Sequence, residues 1–430
     1  MATVYDILAQ QKEELHEYLR QPYVERRVAV PSFDSGMVTV ALGPRRSGKS
    51  FFCCRLLTMQ CKRYGYVNLD DERLVQVDDY DQIIDAAGAV YGSPKCLMLD
   101  EIQNLPRWEL LVNRLQRRGM RLIVTGSNAH LLSAELATHL TGRHLQLILF
   151  PFSFAEYLDA TMEGKARISS AIDAALHTYL RNGGMPETVV TSVNAHDYLT
   201  TLFSATIYKD IVKRHRVTAP RGIESLARHL LSNTGCEYSY RTLRQVAGCK
   251  SERTVRKYLD YLEGAFLVFS LERFSFKVRE QTTHNKKIYA IDNGFVTTVG
   301  FAMSPNTGRL AENAVAVVLH KQHLEGRIQL FFWKSAQHHE VDFVVVEDLA
   351  VHQLIQVCWD LENQKTVDRE VRALLKAGHE LRCHELLVLT RDKEAVEEVS
   401  WFGLKGAVRF EPLHAWLLNQ TSGQRPASSM

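Results

Sequence analysis

One stretch of the sequence places glycine, lysine and serine at the spacing of a phosphate-binding loop. It follows an apolar run at 37–42 and precedes a segment of helical character, and its residues are Gly43, Pro44, Arg45, Arg46, Ser47, Gly48, Lys49 and Ser50. The two glycines allow backbone N–H groups to close around an anion at a helix N-terminus. We expect Lys49 to reach the β- and γ-phosphates of ATP and Ser50 to complete the shell of a Mg²⁺ ion.

A pair of acidic residues, Asp100 and Glu101, ends the apolar run 96–99. A buried parallel strand delivers carboxylates to its carboxyl edge in this way. We expect Asp100 to hold Mg²⁺ through water and Glu101 to polarise the attacking water. The next apolar run ends in small polar residues, of which Ser127 or Asn128 could contact the γ-phosphate or orient the water. The alternative is a strand whose acidic end has no role, and the neighbouring phosphate loop argues against it.

Apolar strand-length runs alternate with helical patterns over residues 36–150. The strands are expected at 37–42, 64–69, 96–100, 121–125 and 144–149, with helices at 49–62, 81–91, 107–118 and 129–139. Such alternation predicts a parallel sheet with helices on both faces and ligands at the carboxyl ends of the strands. The loop, the acidic pair and the small polar residues all fall at such ends, so the sequence predicts a nucleotide-binding α/β core.

Four runs of this core resemble a known class of ATPases: GPRRSGKS, LMLDEIQNL, LIVTGSNAHLL and TGRHLQLILFPFSFAEYL. They are similar to the AAA+ class, specifically to the bacterial and archaeal family in which the core is followed by a domain called DUF4143. The resemblance covers nearly the whole chain and implies ATP hydrolysis and a homo-oligomer. With the patterns described below, it gives an α/β fold of five parts: a P-loop AAA+ core at 1–150, a helical lid at 151–205, a winged helix-turn-helix at 206–280, a C-terminal α/β domain similar to restriction nucleases at 281–420, and a disordered tail at 421–430.

The AAA+ resemblance also gives a role to an arginine just before the last core strand. In AAA+ rings an arginine near this place projects into the nucleotide of the neighbouring subunit and neutralises charge on the transferred phosphoryl group. Arg143 is the candidate here, and a salt bridge to acidic residues of its own sheet is the alternative. Arg181 could sense nucleotide from the lid or be an exposed helix-end residue. Arg26 and Arg27 could pack on the core or contact the nucleotide base.

The chain is most basic between residues 207 and 260, where twelve Lys and Arg face five Asp and Glu, a net charge of +7. Helices at 222–233, 240–247 and 251–263 and a hairpin through 264–278 suggest a winged helix-turn-helix. Its third helix carries Arg253, Arg256 and Lys257, which we expect to contact DNA. The alternative is a solvated basic face used only for subunit packing.

The C-terminal domain has the element order of a PD-(D/E)xK nuclease, with Glu312 on a helix and Asp342 on a strand. Such nucleases use a further Glu-x-Lys triplet to bind Mg²⁺ and activate water. Here the triplet position, on a strand expected at 352–358, reads Gln356-Val357-Cys358. An amide and a thiol replace the carboxylate and the lysine, so we expect no nuclease activity. The neighbouring His338, His339 and Glu340 are expected to form a surface tip rather than a metal site.

Composition sets the broad class of the protein. The chain of 430 residues has 46% hydrophobic and 23% charged residues and a net charge of +3, as in globular proteins. No apolar run reaches membrane length, and the eight cysteines lack a Cys-x-x-Cys pair. We therefore expect a cytoplasmic protein whose cysteines are reduced core residues.

Together these features predict a DNA-associated AAA+ ATPase that couples ATP binding and hydrolysis to assembly or remodelling on nucleic acid. The alternative is a nucleotide-dependent switch that acts on protein partners. An ATP-regulated nuclease is a third possibility, weakened by Gln356 and Cys358.

Overall fold

The computed structural model describes residues 2–30, 35–74, 77, 79–127, 143–162, 164, 167–301 and 306–420. Asn128, the helix expected at 129–139 and the tail at 421–430 lie outside these ranges. Contacts within the chain define two compact units, Met1–Phe150 with Gly264–Phe266 and Pro151–Glu263 with Leu267–Met430. Among the described residues, no helix combines the length and the apolar character needed to cross a membrane.

The described part of the first unit contains one parallel sheet with helices packed on it. Its elements in chain order are α1 (Val4–Tyr18), β1 (Val38–Leu42), α2 (Lys49–Gln60), β2 (Tyr64–Asn68), α3 (Tyr80–Tyr91), β3 (Cys96–Asp100), α4 (Trp108–Arg117), β4 (Arg121–Gly126) and β5 (His144–Ile148). The strand order is β2-β3-β4-β1-β5, and every pair is parallel. Every residue of β1 and β3 is buried, as expected for apolar strands covered on both faces. The strands predicted from the sequence are confirmed to within a residue.

A disulfide contradicts the expectation of reduced cysteines for two residues of this unit, whereas Cys53 and Cys54 are free and buried. Cys61, at the end of α2, is bonded to Cys96, the first residue of β3, with their Cα atoms 6.4 Å apart. Both backbones meet at the same edge of the sheet, where the N–H group of Cys96 donates to the carbonyl oxygen of Arg63. The prediction failed because sequence spacing does not show that α2 ends beside the beginning of β3.

The second unit opens with a group of helices, α5 (Phe154–Thr161), α6 (Ser169–Asn182), α7 (Pro186–Val190) and α8 (Ala195–Ala205). A glycine ends α6: Gly183 adopts a φ of +76°, and a Cβ atom there would lie 1.9 Å from Oδ1 of Asp292. The chain continues from α8 as a π-helix over Thr206–Lys213. Its wider turn brings Ile207 and Ile211 to the same buried side.

Three more helices and a small sheet follow. They are α9 (Pro220–Ser232), β6 (Cys236–Tyr238), α10 (Tyr240–Val246), α11 (Glu252–Gly264), β7 (Val268–Leu271), α12 (Val278–Thr283) and β8 (Lys286–Ala290). The described strands pair in the order β6-β8-β7. The hairpin predicted within 264–278 is therefore wrong, because β7 pairs with β8, which lies beyond the expected boundary at 280. The segment between β7 and β8 includes a short helix, so no tight turn in the sequence signals the pairing.

The rest of the second unit is built on a mixed sheet. Its elements are α13 (Asn293–Val299), α14 (Thr307–Leu324), β9 (Gln329–Lys334), β10 (Glu340–Glu347), β11 (Ala350–Val357), α15 (Gln364–Leu381), β12 (Leu386–Thr390), β13 (Ala395–Trp401), β14 (Leu404–Pro412) and α16 (Leu413–Asn419). The described strands lie in the order β13-β14-β12-β11-β10-β9. Leu374 of α15 belongs to a buried cluster with Val344, Leu354 and Phe410 of the sheet. The helix and strands expected here from the sequence are present.

Candidate functional site

The phosphate loop between β1 and α2 has a backbone that requires glycine at its first position. Gly43 has a φ of +153°, and a Cβ atom there would lie 1.9 Å from the carbonyl oxygen of Leu149. Gly48 precedes α2 in the left-handed region, with a φ of +87°. The buried ammonium group of Lys49 donates to the carbonyl oxygens of Gly43 and Pro44 at 3.0 and 2.8 Å. Lys49 is thus held inside the curve of the loop, where the sequence predicts a phosphate.

The middle of the loop contains a buried hydroxyl group that fits an anion. Ser47 is fully buried, and its Oγ atom has no hydrogen-bond partner among the residues that the structure describes. An unsatisfied buried hydroxyl is costly, and a phosphate oxygen would accept its hydrogen bond. Arg26 fixes the loop from behind, because its guanidinium group donates to the carbonyl oxygens of Ser47 and Phe150 at 2.8 and 2.6 Å. Of the alternatives for Arg26, packing on the core is therefore the one observed.

The two arginines of the loop point to different surroundings. Arg45 lies 3.9 Å from a carboxylate oxygen of Asp70, with both side chains partly exposed. Arg46 is exposed and has a φ of +64°.

Asp100 lies at the end of β3 and is surrounded by hydroxyl groups. Ser50 donates to its Oδ1 atom at 2.9 Å, Tyr66 donates to its Oδ2 atom at 3.1 Å, and Thr125 donates to Oδ1. Burial raises the pKa of Asp100, as does the nearby Glu101, while these hydrogen bonds lower it. Neither Thr125 nor Tyr66 is predicted from the sequence, although each lies on a strand next to β3 in the sheet.

Glu101 directly follows Asp100 and has an unusual backbone conformation. Its φ of +53° lies in the left-handed region, which is uncommon for a residue other than glycine. Its backbone N–H group donates to Oγ1 of Thr125 at 3.0 Å, and its Oε2 atom accepts from Gln103 and lies 3.5 Å from Oγ of Ser127. The structure thus brings Ser127 to the acidic pair, as the sequence predicts. Asn128 lies outside the described residues.

The chemistry of these groups fits a magnesium ion. Mg²⁺ prefers oxygen ligands and is commonly held by one or two carboxylates together with substrate phosphates. The Ser50 hydroxyl and the Asp100 carboxylate are adjacent oxygen donors beside the loop. Among the described residues, no three or more His, Cys, Asp or Glu side chains are arranged to hold a metal ion by themselves. A metal here would therefore depend on the nucleotide for further ligands.

Arg143 lies at the amino ends of the strands, whereas the loop lies at their carboxyl ends. Its carbonyl oxygen accepts from the N–H group of Val38, and the next residue, His144, pairs with Val38 at the amino end of β1. The loop follows the carboxyl end of β1. The Arg143 side chain is exposed and makes no ion pair within the described ranges, so the alternative of a salt bridge to its own sheet is not observed. Arg181 is an exposed residue in the last turn of α6.

The basic helix α11 presents its cationic side chains to solvent. Arg253, Arg256 and Lys257 are all exposed. The helix is capped by Ser251, whose Oγ atom accepts from the N–H group of Thr254 at 3.2 Å. The guanidinium group of Arg256 lies 3.9 Å from the ring centroid of Tyr240 on α10. That contact fixes one of the cations in a defined direction.

A second polar site lies in the C-terminal part of the chain, in a cavity of about 620 Å³. Its lining includes Glu312, Glu340 and Asp342, and also His338 and His339 of the turn between β9 and β10, where His338 is exposed as expected for a surface tip. Cys358 is buried, which raises the pKa of its thiol to about 11. Lys287, at the centre of the carboxylates, is a residue that sequence reasoning missed, because the sequence pattern places it in a connecting segment.

Lys287 brings the carboxylates of this cavity together. Its ammonium group lies 3.2 Å from Oε1 of Glu312, 2.7 Å from Oε1 of Glu340 and 3.1 Å from Oδ1 of Asp342. Burial lowers the pKa of Lys287, but Glu312, Tyr289 and the other carboxylates raise it well above its ordinary value. Lys287 is therefore a charged lysine inside the protein.

Comparison with protein families divides the chain into three matched segments. Residues 35–158 match an AAA domain, residues 173–306 a domain of unknown function called DUF8612, and residues 307–402 the domain of unknown function DUF4143. An uncharacterized protein of Methanocaldococcus jannaschii is 30% identical over 397 residues, which cover 89% of this chain and 88% of that protein. An uncharacterized protein of Haemophilus influenzae is 28% identical over 321 residues, or 70% and 78% of the two chains.

The α/β fold, the phosphate loop and the acidic strand end define the first unit as a P-loop core of the AAA type. The chain belongs to the family of AAA-domain proteins that carry a C-terminal DUF4143 domain. Among solved structures, the RuvB Holliday junction branch migration motor of Thermotoga maritima is 15% identical, with a TM-score of 0.29 over 62% of this chain and 91% of that chain. A TM-score this low supports no functional argument.

Proposed function

We propose that the protein is an ATP hydrolase that couples ATP binding and hydrolysis to its assembly or remodelling on DNA. The observation that carries the ATPase part is the 2.9 Å hydrogen bond between Ser50 of the loop and Asp100 of β3. It unites the phosphate loop with a strand end whose next residue, Glu101, is a carboxylate. Binding and hydrolysis of a nucleotide require both parts at one place.

Each residue of this site has a separable task. Lys49 binds the phosphates, and Ser50 and Asp100 would hold Mg²⁺, which neutralises phosphate charge when it is bound. Glu101 orients the attacking water and accepts its proton. Thr125 and Ser127 hold Glu101 in place, because one accepts from its backbone N–H group and the other lies beside its carboxylate.

The placement of Arg143 supports assembly into an oligomer. It is exposed at the amino ends of the strands, away from the phosphate loop of its own subunit. It is therefore available to the nucleotide of a neighbouring subunit rather than to its own. The guanidinium group of one subunit would then supply, at the nucleotide site of its neighbour, a positive charge that the neighbour itself does not provide.

The exposed cations of α11 support DNA as the partner. The helix follows the turn at Gly248, which has a φ of +61°, and the small sheet β6-β8-β7 lies in the same unit. In a winged helix-turn-helix such a helix contacts the major groove, while neighbouring cations contact phosphates. The net charge of +7 over residues 207–260 would attract an anionic polymer.

The test is the ATPase rate with no DNA and with single-stranded, duplex and branched DNA, at two salt concentrations. We expect stimulation by at least one DNA form and a steep loss of DNA affinity as salt increases. The same mixtures, incubated with Mg²⁺, should show no cleaved DNA. An ATPase that is indifferent to DNA and binds none of these forms would favour a nucleotide-dependent switch acting on protein partners.

A further inference from the structure

The carboxylates that the nuclease resemblance assigns to Mg²⁺ already surround a cation of the protein itself. Lys287 is only 2% exposed, and its side chain enters the cluster from β8. Glu312 comes from α14, and Glu340 and Asp342 lie two residues apart on β10. Because alternate residues of a strand face the same side, both carboxylates of β10 can reach the same ammonium group.

The numbers of donors and acceptors match. A lysine ammonium group has three donors and no acceptor, and three carboxylate oxygens of the described residues lie within 2.7–3.2 Å of it. These are the distances of charge-assisted N–H···O hydrogen bonds. Oxygen ligands lie about 2.0–2.1 Å from Mg²⁺ and about 2.3–2.6 Å from Ca²⁺. The spacing of the oxygens therefore suits an ammonium group better than either metal ion.

Asp342 makes further hydrogen bonds around the cluster. Oδ2 of Asp342 accepts from the N–H group of Val357 at 3.1 Å, and the N–H group of Asp342 donates to Oε1 of Gln356. The amide group of Gln356 in turn donates to Oε2 of Glu370 at 2.7 Å. Gln356 stands where the nuclease pattern has a metal carboxylate, and here its side chain joins the backbone of β10 to a carboxylate of α15 by hydrogen bonds.

We propose that Lys287 permanently replaces the metal ion in this cavity, so that the site is an ammonium–carboxylate centre that excludes divalent cations and fastens the sheet β6-β8-β7 to the C-terminal sheet. A second lysine also links the two sheets. Lys334 of β9 pairs with Glu237 of β6 and lies 3.4 Å from Oε2 of Glu340. The two lysines thus share Glu340.

The first experiment measures metal binding by the full-length protein without nucleotide. Mn²⁺ is titrated into the wild type and into Asp342→Asn, and bound Mn²⁺ is counted by electron paramagnetic resonance. The two proteins should bind the same number of ions, because the Asp342 carboxylate pairs with the Lys287 ammonium group and does not bind a metal ion. One fewer bound ion in Asp342→Asn would overturn the proposal, and this result needs no variant of Lys287.

The second experiment replaces the tethered cation with a free one. Lys287→Ala should lower the Tm, because it leaves buried carboxylates unpaired. Methylammonium chloride, which has N–H donors and fits the vacated space, should restore part of the loss. Tetramethylammonium chloride, which has the same charge but no N–H group, should not. Lys286→Ala, next to it on β8 with a partly exposed side chain paired to Glu272, is the matched control and should show no response to methylammonium.

Two outcomes of the second experiment would contradict the proposal. One is a Tm for Lys287→Ala equal to that of the wild type. The other is equal recovery with both ammonium salts, which would show that ionic strength and not a bound ammonium group stabilises the variant. If Lys287→Ala does not fold, the Mn²⁺ comparison decides alone.

Discussion

The hydroxyl group of Ser50 donates a 2.9 Å hydrogen bond to Oδ1 of Asp100, across 50 positions of sequence. Ser50 belongs to the first turn of α2, and Asp100 is the last residue of β3. The bond therefore joins the phosphate loop to the acidic strand end. Lys49 precedes Ser50 and Glu101 follows Asp100, so the bond holds both of these residues at the same site. Their separate roles can be tested by substitution.

Lys49→Ala and Glu101→Gln should fail at different steps. Lys49→Ala removes the phosphate-binding ammonium group and should abolish ATP binding, whereas Glu101→Gln keeps the shape of the side chain but removes the base. We expect Glu101→Gln to bind ATP normally and to turn it over roughly 10²–10⁴-fold more slowly. Binding of a fluorescent ATP analogue and release of phosphate measure the two steps. Hydrolysis at the native rate by Glu101→Gln would show that another group is the base.

Thr125 should matter for turnover although it does not contact the phosphates. Its hydroxyl donates to Asp100 and accepts from the N–H group of Glu101, so Thr125→Val removes both hydrogen bonds, although Asp100 keeps those from Ser50 and Tyr66. Loss of a hydrogen bond to a charged group costs about 1.5–3 kcal/mol, which would slow hydrolysis by about ten- to a hundredfold. Thr125→Ser, which keeps the hydroxyl, is the control and should be nearly native. Equal hydrolysis rates for the valine and serine variants would show that the hydroxyl of Thr125 does not position the acidic pair for catalysis.

The sequence was sufficient to locate the loop and the acidic pair because both rest on local patterns. Uninterrupted apolar runs such as 96–99 form buried parallel strands, and the polar residues that follow them meet at the same sheet edge. Ser127 was found for this reason. Thr125 was not predicted, because it lies within its strand. Its role becomes apparent only from the three-dimensional position of its hydroxyl beside the end of β3.

The sequence did not reveal the centre around Lys287 because its partners are remote along the chain. Glu312 and Asp342 lie 25 and 55 positions away, on elements that come together only through tertiary packing. A lysine in an apolar segment gives no local sign of its counter-ions. The pairing of β7 with β8 was missed for a similar reason, since the strands are separated by a segment with its own helix.

Arg143 should act on the nucleotide of a neighbouring subunit. Arg143→Ala and Glu101→Gln should each be inactive alone, and co-assembly of the two should restore part of the ATPase activity, because some interfaces then contain both intact groups. Arg117→Ala is the control, since Arg117 is exposed and lines the same small cavity as Arg143. It should keep the native rate. Absence of recovery in material shown to be co-assembled would leave Arg143 without a role in trans.

The cations of α11 should supply much of the DNA affinity. Replacing Arg253, Arg256 and Lys257 with glutamate should weaken duplex binding and reduce the slope of log affinity against log salt by about one unit for each phosphate that the protein no longer neutralises. Lys405→Glu, on an exposed side chain of β14, is a control for net charge and should change the slope little. An unchanged slope in the triple variant would move the DNA site elsewhere or remove it.

Asp292 should make the stability of the second unit depend on pH. It is buried and accepts from the N–H groups of Gly184 and Gly294 at 2.7 and 2.9 Å. Burial raises its pKa from 3.8 to about 6, although the two hydrogen bonds oppose this. Between these values the folded protein binds the proton more tightly than the unfolded chain. The resulting stabilisation is therefore complete below pH 3.8 and is lost as the pH rises through about 6.

Comparison with a side chain that does not titrate isolates this effect. Asp292→Asn has nearly the same shape, so the difference in free energy of unfolding between the wild type and Asp292→Asn cancels most other titrating groups. That difference should fall, to the disadvantage of the wild type, by about 2 kcal/mol between about pH 4.5 and 7 and then stay constant, since one pKa unit corresponds to about 1.4 kcal/mol. Urea unfolding at a series of pH values measures it. A difference that is flat over this range would mean that Asp292 stays ionised in the folded protein, held by the two backbone N–H groups.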